Sequence, residues 1–138
     1  MPRAVLDPNV LVSALIGPHG ASAQLLLELR AGAFELVTSP QLLQELDDVL
    51  HREKFRRYAT ETEVEAYVDL LRREGILLDD PEPAPEPLSE DPDDEYLIIL
   101  ARAARVEALV SGDPHLIRLR GQIPVLTPRE FLESLQNR

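Results

Sequence analysis

The apolar runs of this chain are short and alternate with amphipathic helical segments, which restricts the fold more than any other feature. Residues 4–6, 34–38, 76–78, 108–110 and 124–126 each supply three to five residues of mostly Val, Leu, Ile, Ala or Phe. That is the length and texture of strands covered on both faces. Between them the spacing predicts helices over 9–16, 21–30, 40 to about 55, 62–73, 93–105 and 128–135, with a short helical turn at 114–120. Gly17-Pro18, Gly32 and Gly75 punctuate them, and Ser39-Pro40 opens one with a cap and a proline at the first helical position. Strands separated by helices spell an α/β sandwich with a mainly parallel sheet. At 138 residues, without internal repeats, the chain reads as a single domain, 1–138.

Several function classes drop out at this level. With no cysteine, disulfide, thiol and cysteine-zinc chemistry are excluded. Met1 to Asp7 meets a carboxylate after three apolar residues, so no cleavable signal peptide is expected, and no run reaches the roughly 18 apolar residues of a membrane span. The expected location is cytoplasmic, with no membrane partner.

The net charge of −11 argues against a polyanion binder until its distribution is considered. Residues 79–95 hold nine carboxylates and no basic side chain, leaving 16 acidic against 14 basic residues elsewhere. Five of the twelve prolines fall in the same stretch, so its first part is expected to be an extended loop. His51, Arg52, Lys54, Arg56 and Arg57 cluster, as do Arg118 and Arg120. The cluster at 51–57 reads equally well as a solvated helix end or as a contact for phosphate.

In parallel sheets, ligands collect beyond the carboxyl ends of the strands. Asp7 follows the first strand and Asp113 the fourth, after Ser111-Gly112. On the helix from Pro40, Glu45 falls roughly 40° beyond the edge of the stripe formed by Leu42, Leu46, Val49 and Leu50, at the border of the interior, whereas Asp48 faces away. On the helix near 93, Asp94 aligns with Ile98 and Ala101, Asp93 with Leu97 and Leu100, and Glu95 falls outside the stripe. Each acid alone has a bland reading: Asp7 and Asp113 as turn or helix-start residues, Glu45 as a surface acid, Asp93 and Asp94 as first-turn residues. If Asp7, Glu45, Asp94 and Asp113 converge, their repulsion demands protons or a cation. Oxygen-only ligands suit Mg²⁺ or Mn²⁺, and metal-assisted phosphodiester hydrolysis is the chemistry this favours. His19, His51 and His115 lack partner spacing for a zinc site or triad, so each is read as surface or capping, with His115 near enough to Asp113 to touch substrate.

The order of these motifs resembles the PIN-domain nucleases. Val5-Leu6-Asp7-Pro8-Asn9, Ser39 to Leu46 with Glu45, Asp91-Pro92-Asp93-Asp94-Glu95 and Val110-Ser111-Gly112-Asp113-Pro114 are similar to that family's four elements, over nearly the whole chain. The nearest branch is the VapC-like toxins of toxin–antitoxin pairs. The resemblance implies a three-layer α/β/α sandwich with four to five short strands. It also implies an endoribonuclease dependent on Mg²⁺ or Mn²⁺, an RNA substrate, an antitoxin partner and a homodimer.

The family's acids map onto Asp7, Glu45, Asp94 and Asp113, with Asp7, Asp94 and Asp113 as metal ligands and Glu45 acting on the attacking water. Asn9 and Ser111 match polar residues that order ligands or touch substrate; Asp93 remains the alternative to Asp94, which register with Ala101 favours. Pro8 stands where many relatives carry Thr. Two rivals stay open: a catalytically silent scaffold that binds protein, and a DNA-directed nuclease. A receiver-type phosphotransfer domain around Asp7 lacks a suitable lysine, Lys54 being the only one.

Overall fold

The computed structural model describes residues 1–138. In chain order the elements are β1 (Arg3–Leu6), α1 (Pro8–Ile16), α2 (Ala21–Arg30), β2 (Glu35–Thr38), α3 (Pro40–Leu50), a 3₁₀ turn (Glu53–Phe55), α4 (Glu61–Glu74) and β3 (Ile76–Leu77), then α5 (Pro92–Ala103), β4 (Ala108–Val110), α6 (Pro114–Ile117), β5 (Val125–Leu126) and α7 (Pro128–Gln136). The five strands form one parallel sheet in the order β3-β2-β1-β4-β5. Strands β1, β2 and β4 are almost entirely buried, which is why their sequences are continuous apolar runs rather than alternating ones.

Chain direction across the sheet reverses once. From β1 the chain steps to β2 and β3 on one side, then returns by way of α5 to β4 and β5 on the other. Right-handed crossovers therefore put α1–α4 on one face and α5 on the opposite face. The first group packs in series, α1 against α2 and α3, and α3 against α4, while α7 packs on α2 and α5 lies against β1 and β4. A single cluster of 34 buried apolar residues joins the layers.

Five helices begin in the same way: a polar cap followed by proline at Asp7-Pro8, Ser39-Pro40, Asp91-Pro92, Asp113-Pro114 and Thr127-Pro128. Proline has no N–H to leave unpaired and its φ is preset for a helix, while the cap oxygen accepts an amide two residues on at the aspartates and three residues on at Ser39 and Thr127. Each cap immediately follows a strand or loop at the sheet's carboxyl end, so three aspartates are fixed there by helix initiation itself.

Two expectations need correction. The helix from Pro40 stops at Leu50 instead of running to about 55, whereas the short helical turn at Pro114 is present as α6 and the turn after it. Glu95 is buried, although the stripe left it outside: its Oε1 accepts the Leu88 and Ser89 amides at 2.8 and 3.0 Å, pinning the acidic loop against α5. No single helix is long and apolar enough to cross a membrane.

Candidate active site

The pairing of β1 with β4 sets two site residues side by side. Leu6 is in register with Val110, and the ladder runs one residue further through Asp7 N–H to the Val110 carbonyl at 2.9 Å. The next residue on each strand is therefore Asp7 and Ser111. The Ser111 hydroxyl donates to Asp7 Oδ2 at 2.8 Å, and its oxygen accepts the Asp113 amide at 3.0 Å. Asp7 Oδ1 accepts the Asn9 amide at 3.0 Å as the cap of α1, and Asp113 Oδ1 accepts the His115 amide at 2.9 Å as the cap of α6. This is the point where strand order reverses, between β1 and β4, where open α/β sheets leave a crevice.

Helices from both faces complete the crevice. Asp7, Glu45 from α3, Asp91, Asp93 and Asp94 from the start of α5, and Asp113 all line one cleft of about 260 Å³, together with Asn9 and Arg52. Glu45 is half-buried, and the Tyr96 hydroxyl of α5 donates to its Oε2 at 2.6 Å, tying α3 to α5 above the strand ends. Asp94 is buried and Asp93 exposed, although both border the cleft. Asp94, Asp113 and His115 each offer a ligand atom within 4.8 Å of the other two.

Crowding leaves its mark on proton affinity. Burial raises the Asp7 carboxyl above the usual aspartate range, and the Asp113 charge adds to this against the opposing hydrogen bonds from Asn9 and Ser111. Asp94 is pushed up to about 6, first by burial and then by the charges of Asp113, Asp91 and Asp7. Glu45 is raised by burial and by Asp93, Asp7 and Asp91, partly countered by the Tyr96 hydrogen bond. Tyr96, half-buried and facing Glu45, holds its own proton far beyond the normal phenol range. Six carboxylates facing one arginine are an electrostatic deficit that a hard cation would relieve. The donor set is carboxylate oxygen with a single imidazole, which fits Mg²⁺ or Mn²⁺ and lacks the thiolates or several histidines of a zinc centre.

The structure thus brings Asp7, Glu45, Asp94 and Asp113 together from four separate segments, with Asn9 and Ser111 beside them and Asp93 at the rim. His115 is an exposed surface residue, as read, and its Nδ1 lies 3.1 Å from Asp113 Oδ1. Pro8 is a buried first helical residue, so the position that lacks a hydroxyl instead starts α1.

Three cleft residues escaped sequence reasoning. Asp91 was hidden within the acidic run. Tyr96 carried a signal, as a polar-tipped aromatic two residues beyond Asp94. Arg52 was merged with its basic neighbours, but those are engaged locally: Arg56 with the Leu50 carbonyl, Arg57 with the Tyr58 hydroxyl, Lys54 over the Phe55 ring.

Comparison with known proteins agrees with this architecture. The family model described as PIN domain matches residues 3–115. An uncharacterized protein of Methanocaldococcus jannaschii is 26% identical over 148 aligned positions, covering 97% of this chain and 92% of the relative. Among solved structures, VapBC2 from Rickettsia felis, bound to a DNA fragment from its promoter, contains a chain that superposes with a TM-score of 0.66 at 20% identity. The match covers 91% of this chain and 98% of that one.

Proposed function

Since the chain belongs to the PIN-domain family, we propose that it is a divalent-metal-dependent endoribonuclease, the toxin half of a toxin–antitoxin pair. PIN domains are generally nucleases, and the observation that carries the reading here is the meeting of Asp7, Glu45, Asp94 and Asp113 in one cleft at the switch point of the sheet. Four acids retained in one crevice also argue against a catalytically silent scaffold. RNA as substrate, an antitoxin partner and a homodimer complete the proposal; likeness to the Rickettsia felis VapBC2 complex supports the partner.

Asp7, Asp94 and Asp113 are the residues that would hold the ion. When bound, a divalent cation supplies Lewis-acid stabilisation of charge on the phosphate and acidifies coordinated water. Ser111 links the two outer acids, donating to the Asp7 carboxylate and accepting from the Asp113 amide, and so ties the backbone at Asp113 to the Asp7 side chain. Glu45 is the proton acceptor for the attacking water. Tyr96 occupies its Oε2, leaving Oε1 to take the proton, and its raised proton affinity brings it toward the range in which a general base is effective. Asn9, at the mouth of the cleft, is positioned to contact substrate.

Asp7→Asn is the decisive variant. It should abolish Mn²⁺-dependent cleavage of single-stranded RNA and suppress the calorimetric heat of Mn²⁺ binding, with an unchanged far-ultraviolet circular dichroism spectrum. Matched RNA and DNA strands distinguish the substrates: faster cleavage of DNA would replace the ribonuclease reading by a DNA-directed one. Full activity of the variant defeats the metal assignment.

A further inference from the structure

The acid cleft does not end at Asp113. A second cavity of about 380 Å³ shares Asp7, Asn9 and Asp113 with it, and continues past Ser13 of α1 and Ser22 of α2. A third, of about 520 Å³, shares Ser13, Ser22 and Pro128 with the second and runs on to His19 and Arg129. The three form one groove from the cleft to the start of α7.

Its lining is unusual for this molecule. The chain has 25 acidic residues, yet beyond Asp7 and Asp113 the groove has no carboxylate, and its ionisable side chains there are His19 and Arg129. By contrast, the groove between α3 and α4 is lined by Asp47, Glu65 and Asp69, with Arg72 already paired to Asp69. Arg129 makes no salt bridge or side-chain hydrogen bond, although its neighbour Glu130 is fully engaged by Arg120 and Thr127. Arg52, at the α3 side of the cleft, is likewise uncommitted beside six carboxylates. The exposed Asn9 amide and Ser13 hydroxyl make no side-chain hydrogen bond within the chain and are free to meet sugar and phosphate, whereas Ser22 is buried in the groove floor.

Building on the ribonuclease reading above, we propose that single-stranded RNA leaves the acid cleft along this groove, its phosphates held by Arg129 at the far end and by Arg52 at the cleft. Arg129 is then a positioning residue that senses the length of the strand. Charge complementarity carries the assignment: an anionic polymer is repelled by the acidic stretch 79–95 and by the groove between α3 and α4, and tolerated along this path. A hydroxyl-bearing backbone suits the free Ser13 hydroxyl and the Asn9 amide, which can donate and accept.

Length dependence provides the test. In Mn²⁺, Arg129→Ala should lower kcat/KM for a twelve-nucleotide RNA by about 5- to 10-fold, through KM, and leave that for a dinucleotide unchanged. Arg52→Ala should lower both. Binding of the long RNA to Asp7→Asn, with and without Arg129→Ala, should show a salt dependence shallower by about 0.7 in log–log slope for the lost contact. Arg30→Ala and Arg102→Ala, which remove exposed charges outside the groove, serve as controls and should change nothing. If Arg129→Ala cleaves the long strand as the parent does, or affects dinucleotide and long strand equally, the path is refuted while the nuclease reading stands. If the parent cleaves neither, both fall.

Discussion

Asp94→Asn should make the metal-free protein more stable while destroying its affinity for the ion. In the folded chain Asp94 titrates at about 6, against 3.8 for an unperturbed aspartate. The unfolded chain therefore releases this proton earlier than the folded one. As pH rises from about 4 through 6, the native state loses the advantage of the protonated carboxyl, and at neutral pH the full repulsion from Asp113, Asp91 and Asp7 is felt. The shift corresponds to at most about 3 kcal/mol, and water in the open cleft reduces this to about 1–2 kcal/mol. For a chain of this length 1 kcal/mol moves Tm by about 3–4 °C, so the asparagine variant should melt about 3–8 °C higher in chelator at pH 7.5. The two curves should converge near about pH 3, where position 94 is largely uncharged in both proteins and both states. Circular dichroism is the suitable probe, since the chain has no tryptophan. Adding Mn²⁺ at pH 7.5 should raise the Tm of the parent and scarcely move the variant, reversing their order. A variant melting no higher than the parent in chelator, or by a margin independent of pH, would refute the claim that Asp94 carries the strain of the unfilled cleft.

Tyr96→Phe removes the hydroxyl that lowers the proton affinity of Glu45, so the acid limb of the pH–rate profile should move to higher pH, with activity recovering on the alkaline side. An unmoved limb would mean that Glu45 is not the group whose ionisation is read. Gly75→Ala should cost about 1–3 kcal/mol in urea titration, because a Cβ there would lie 2.8 Å from the Leu71 carbonyl oxygen and 3.1 Å from that of Leu36, where α4 turns onto β2. Glu95→Ala strands the Leu88 and Ser89 amides, at about 2–4 kcal/mol by the same measurement; Glu95→Gln, which keeps an acceptor oxygen, should recover much of that loss.

The sheet was legible because its strands are buried on both faces and so appear as uninterrupted apolar runs; the helices between them then fix a parallel topology. Strand order was not written in any local pattern, and it is the order that makes Asp7 and Asp113 neighbours. The boundary at Leu50 was invisible for a different reason. No glycine or proline ends α3; its last carbonyls are taken by His51 Nδ1, 2.8 Å from the Asp47 oxygen, and by Arg56 reaching back to Leu50. Glu95 was misjudged because periodicity describes which side of a helix faces the sheet, whereas this side chain is buried by the loop that folds over α5. Tyr96 meets the site through its hydrogen bond to Glu45 across the strand ends, and Arg52 through the turn after Leu50, which no spacing rule along one element records.

The two readings available for Asp7 and Asp113 from sequence, helix-start residue and metal-site acid, prove to be compatible. Asp7, Asp91 and Asp113 each give Oδ1 to the amide two residues on, initiating α1, α5 and α6. That bond pins the carboxylate plane, and in Asp91 and Asp113 it leaves Oδ2 without a partner in the chain. The start of a long helix such as α1 or α5 also carries partial positive charge, which offsets some of the repulsion among the cleft acids. The folding device that begins a helix after a strand therefore also orients carboxylates at the one place where an α/β sheet opens. It follows that asparagine, which retains the Oδ1 acceptor, removes charge from position 7 or 113 without undoing the helix start, whereas alanine removes both. Loss of function on Asp7→Ala alone could not distinguish a missing ligand from a frayed α1.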